Sequence, residues 1–185
     1  MSLRMHIGKI FLGLCLLLHP AVAIAQGGNH ILQTVTSPDL TRIVQLADFN
    51  VAFKYELFST NLLTLHRMKI GKPTASMEDV LPGFLISSDS KLVVYSQQNT
   101  ALGSDRKLYS TRIDRQENKL ISQPMQTNGG VERLQPVWDG MSVRYLADPV
   151  WDEQYHWYRV SMNGGKIVEE IFIDGFEHGD TEAWQ

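Results

Sequence analysis

The sequence predicts an all-β chain assembled from three four-stranded antiparallel units, and three observations carry that prediction. A short motif recurs at a constant interval of 50 residues. Each copy is followed by brief runs rich in β-branched and aromatic residues, separated by turn residues. The 185 residues are 43% hydrophobic and 20% charged, a globular balance with length for one domain plus a tail.

Taken in order, residues 1–25 form a signal peptide in all three parts. Arg4 and Lys9 stand before the apolar run 10–18, and Ala23-Ile24-Ala25 precede Gln26. The uninterrupted run is far shorter than the roughly 20 apolar residues that span a bilayer, so no stable membrane span is expected in the mature chain. Cleavage is expected between Ala25 and Gln26, with the product in the periplasm or outside the cell. Cys15 follows the bulky Leu14, where lipid attachment wants a small residue. It is the only cysteine, so the mature chain has neither disulfide nor thiolate chemistry. Loss of Arg4 and Lys9 leaves 15 basic against 20 acidic residues. A surface of that sign does not favour nucleic acid.

The repeat occupies residues 30–170, in segments of about 30–80, 81–130 and 131–170. Ser37-Pro38-Asp39, Ser87-Ser88-Asp89 and Val137-Trp138-Asp139 are its fixed points. First strands are expected around 31–35, 84–86 and 134–137, and second strands at 43–46, 93–96 and 143–146. Third strands are expected at 55–58, 107–110 and 157–160, and fourth strands at 63–65, 119–121 and 166–168. Asp39, Asp89 and Asp139 are read as turn-makers, because a carboxylate there accepts backbone N–H bonds, and Gly140 supplies conformational freedom just after the third. Four antiparallel strands in 40 to 50 residues are the blade of a β-propeller.

At these residues the sequence resembles the TolB-type, or WD40-like, β-propeller repeat. That family reads Ser-Pro-Asp-Gly, a basic residue, an apolar strand ending in Tyr or Phe, and later a Leu-Tyr strand. Ser88-Asp89-Ser90-Lys91-Leu92-Val93-Val94-Tyr95 with Leu108-Tyr109 carries the likeness, as do Asp139-Gly140, Tyr145 and Asn163-Gly164-Gly165. The first copy departs from it, with Leu40 where the family has Gly. Trp138-Asp139 and Trp151-Asp152 are not true WD40 signatures, since they lack the upstream Gly-His. Propellers close with about four to eight blades, so three units leave an open array, a shortened relative of a longer protein, or a homodimer that closes a six-bladed ring.

Residues 171–185 form an acidic tail outside the repeat. Asp174-Gly175-Phe176-Glu177, Gly179-Asp180 and Ala183-Trp184 resemble an ending found on secreted bacterial proteins. Its carboxylates do not have EF-hand spacing, and no metal site is expected.

The chain has no Gly-x-Ser-x-Gly elbow, His-Glu-x-x-His or phosphate loop. No catalytic residue and no cofactor are expected. The candidate ligand-binding residues are Trp151, Asp152, Tyr155 and His156, where aromatic faces beside a carboxylate suit a sugar or a protein partner. The structural alternative has Tyr155 and Trp157 alternating inward on a strand. The expected function is an exported, non-catalytic binding or protein-interaction module. The rivals are the propeller part of a secreted hydrolase and a carbohydrate-binding surface protein.

Overall fold

The computed structural model describes residues 30–73, 78–99, 105–126, 129–150 and 154–170. The signal segment with Ala25 and Gln26, the residues Trp151 and Asp152, and the acidic tail lie outside them. The described residues form thirteen strands and no helix: β1 (Ile31–Thr36), β2 (Arg42–Ala47), β3 (Glu56–Asn61), β4 (Arg67–Lys69), β5 (Glu78–Val80), β6 (Leu85–Ile86), β7 (Leu92–Asn99), β8 (Asp105–Arg112), β9 (Asn118–Leu120), β10 (Gly130–Pro136), β11 (Ser142–Asp148), β12 (His156–Ser161) and β13 (Val168–Glu170). No helix among them is long and apolar enough to cross a membrane.

Strands β1 to β4 make one antiparallel four-stranded sheet in chain order. The other nine belong to a second sheet, ordered β13-β12-β11-β10-β8-β7-β5, with β6 on β7 and β9 on β8. The second and third repeats are thus joined where the sequence led one to expect separate sheets. The join is slight, a single parallel pair between Gly130 and Arg106.

The first strand of each repeat carries an irregularity at the same position. β1 shifts register at Leu32 and β10 at Glu132, 100 residues later. Midway between them stands Pro82, and there the strand breaks into β5 and β6, which pair with separate stretches of β7. An extra residue bulges a strand, and a proline with no N–H to give to the ladder turns the bulge into a gap.

Two expected fourth strands are displaced. Residues 63–65 form a turn, because the Asn61 side-chain oxygen accepts the N–H groups of Leu63 and Thr64 at 2.9 Å, and β4 begins only at Arg67. In the third repeat β13 starts at Val168, two residues beyond the expected start. β7 runs on through Gln97 to Asn99, which pair with Lys107, Arg106 and Asp105 at the start of β8.

Alternation along the central strands divides the core into two layers. Val93 and Tyr95 face Val44, Leu46, Leu57 and Ile70 of the first repeat, while Val94 on the other side of β7 joins Leu108 and Ile121 against Val143, Tyr145 and Tyr158 of the third. Tyr95 stacks on Tyr109 at 5.8 Å and Tyr145 on Tyr158 at 5.4 Å between ring centres. Each buried tyrosine oxygen also accepts an N–H from the repeat before it, Lys72 to Tyr95 at 2.8 Å and Gln123 to Tyr145 at 3.4 Å. The repeats are stacked face to face by the same contacts, used twice.

Candidate functional site

The turns that follow the first strands share one construction. In each, the residue one place after the Asp donates its N–H back three residues, and lies in the left-handed region, with φ of 59° at Leu40, 59° at Ser90 and 64° at Gly140. The carboxylates organise these turns. Asp39 accepts the Ser37 hydroxyl at 2.6 Å and the Thr41 N–H at 3.1 Å, and Asp89 accepts the Ser87 hydroxyl at 2.7 Å and the Lys91 N–H at 3.1 Å. Asp139 accepts the Met141 and Ser142 N–H groups at 2.8 Å, and Arg159 at 3.1 Å. All three are held below the ordinary carboxylate value, the first two chiefly by the serine hydroxyl and Asp139 chiefly by the Met141 N–H. Groups so fully engaged stay ionised and keep no proton to give.

The turns also touch one another. The Asp39 N–H donates to Ser90 Oγ and the Ser88 N–H to the Gly140 carbonyl, each at 2.9 Å. A Cβ at Gly140 would lie 2.6 Å from Ser88 Cβ, so the third turn needs glycine for close approach as well as for its φ. This row of turns makes one end of the stack.

Large apolar side chains project from that end. Leu40 is 71% exposed, Leu63 92%, Leu65 75% and Trp138 93%. The Leu62 N–H bonds to the Thr41 carbonyl, which ties the Leu63–Leu65 turn to the Leu40 turn. Leu65 is left-handed as well, at φ 58°. A bulky residue in that region costs about 1–2 kcal/mol, and here no burial compensates it. At the opposite end Phe53 repeats the pattern, 84% exposed with φ 62°, its N–H bound to Asp48 at 3.0 Å.

Of the candidate binding residues, Trp151 and Asp152 lie outside the described residues. Tyr155 precedes β12 and is half exposed, and His156 begins that strand with Nδ1 2.9 Å from Glu169 Oε1. Tyr155 and Trp157 do not point inward as the strand alternative had it. Tyr158 takes the inward place, in the layer against Tyr145. A cleft of about 260 Å³ lies elsewhere, between the Leu81, Pro82 and Gly83 break and Val131 to Leu134 of β10. Sequence reasoning missed it, although Pro82 at the bulge position was its signal. Among the described residues no group of three or more His, Cys, Asp or Glu side chains is placed to hold a metal ion.

This arrangement defines the class as a β-propeller-type fold, and the comparisons agree. TolB from Acinetobacter baumannii matches at a TM-score of 0.52 with 16% identity, over 78% of this chain and 33% of that one. Porphyromonas gingivalis dipeptidyl peptidase 4 matches at 0.60 with 9% identity, over 76% and 25%. The β-propeller domain of the trilobed protease from Pyrococcus furiosus matches at 0.50 with 13% identity, over 80% and 45%. The chain therefore spans between a quarter and under half the length of these structures, and at such identities the likeness is one of fold. No protein-family description and no curated protein matches the sequence.

Proposed function

We propose that this chain is an exported binding module of three propeller-like blades, at about 30–80, 81–130 and 131–170, that holds a protein partner on its turns without chemistry of its own. The observation that carries the reading is the set of exposed leucines at one end, Leu40, Leu63 and Leu65, two of them in strained backbone. Neither core packing nor backbone preference favours a leucine there, and binding hot spots on rigid scaffolds have this character. Export rests on the signal peptide of residues 1–25, which puts the module in the periplasm or outside the cell. The fold likeness to TolB is consistent with a module that binds.

A photo-crosslinking side chain in place of Leu63, in cells that make the protein, tests this. The expected result is one discrete crosslinked polypeptide, lost when Leu65→Glu is added. No crosslink, together with turnover of peptide or oligosaccharide substrates by the purified chain, would overturn it. That second outcome belongs to the rival reading, a propeller segment of a hydrolase, which the fold likeness to a peptidase supports.

A further inference from the structure

Resting on the three-blade reading, we propose that both outward faces of the stack are caps, so that the array stays open and a second copy of the chain does not dock on either face. Val44 and Val94 lie 50 residues apart in the forward faces of the first two repeats, and Arg144 follows at the same interval. Pairing aligns Leu57 with Leu46, Leu108 with Ser96 and Trp157 with Leu146, which makes Leu57, Leu108 and Trp157 one position. Ile70 and Ile121 donate their N–H groups to the Leu57 and Leu108 carbonyls, while Glu170 pairs with Trp157. Three positions that read Val, Leu, Ile in the two internal layers thus read Arg, Trp, Glu on the last face. The replacements engage one another: Arg144 Nε is 2.5 Å from Glu170 Oε2, and its guanidinium lies 4.9 Å from the Trp157 ring centre.

The first face is closed by other means. Its Gln45 and Phe58 occupy the positions of Tyr95 and Tyr109, the stacked pair that receives the preceding repeat. Gln45 offers no ring to stack. Phe58 is already only 4% exposed, because Phe49 folds back on it at 5.1 Å and Arg67 covers Phe49 at 4.0 Å. Lys69 and Glu56 pair beside them. Polar outer faces on terminal units are what keep stacked repeats soluble. A six-bladed ring of two chains would need these two faces to meet, with their ion pairs stripped of water for little apolar return.

The test is the solution mass of the chain from Gln26 onward, by light scattering over a wide concentration range. The unaltered chain should show the mass of one copy throughout. The variant R144V/W157L/E170I, which restores the internal residues on the last face, should rise to two copies or more with its far-ultraviolet circular dichroism unchanged. Should that variant fail to fold, Arg144→Val alone provides the same comparison. A dimer of the unaltered chain would overturn the proposal, and so would a monomeric, folded uncapped variant. Neither result bears on the crosslink at Leu63, so failure of the caps and failure of the binding reading are separable.

Discussion

At the residue scale, the three turns set one backbone geometry against three side chains. Leu40, Ser90 and Gly140 all sit near φ 60°, and at Gly140 an added Cβ would also lie 2.6 Å from Ser88 Cβ. Leu40→Gly should therefore stabilise the fold by about 1 kcal/mol, and Gly140→Ala should destabilise it by about 1–3 kcal/mol, as urea unfolding will measure. If Leu40 serves a partner, the stabilised variant binds it less well. The turn aspartates give a pH dependence of defined sign. Their folded values lie below the ordinary 3.8, so their contribution is complete above that value and is lost as pH falls through and below it. The triple change of Asp39, Asp89 and Asp139 to Asn should flatten the acid limb of stability against pH while lowering stability at pH 7. The aspartates were readable as turn residues because a carboxylate in a tight turn accepts the backbone N–H groups that follow it, as Asp39, Asp89 and Asp139 do. Leu63 and Leu65 misled because β propensity registers an apolar alternation and not the Asn61 side chain that closes a turn around it.

At the level of the strands, central elements were legible and edges were not. β2, β7 and β11 announce themselves by apolar runs fixed to the 50-residue interval, whereas of the three-residue edge strands β4, β9 and β13 only β9 lay within a residue of its expected place. The split of β5 from β6 follows from Pro82, whose position against Leu32 and Glu132 was readable in principle. Leu57 lies fully buried between the first and second repeats. Leu57→Ala should cost about 2–5 kcal/mol, while Thr64→Ala on the exposed turn should change stability by less than about 0.5 kcal/mol. Burial pushes the Tyr145 phenol up to about 12 from an ordinary 10.0, and burial raises Tyr95 as well. A raised phenol contributes stability that is complete below its unfolded value and is lost as pH climbs through the folded one. Ultraviolet titration should find these two tyrosines ionising above the ordinary phenol value, and Tyr145→Phe should weaken the alkaline limb.

For the whole molecule, the repeat interval made the stacking legible, since equal spacing of turn and apolar strand places equivalent residues in successive layers. Its ends were harder. The substitution of Arg144 for Val44 and Val94 stood in the sequence, but its meaning needed the pairing that brings Trp157 and Glu170 beside it. The rest depends on the three repeats forming one stable scaffold that carries exposed turns. Native-state amide hydrogen exchange tests it most directly. Comparable strong protection is expected in β2 and β3, in β7 and β8, and in β11 and β12, with fast exchange at the Leu63 to Leu65 turn. Protection confined to one repeat, with the others exchanging like open chain, would contradict it.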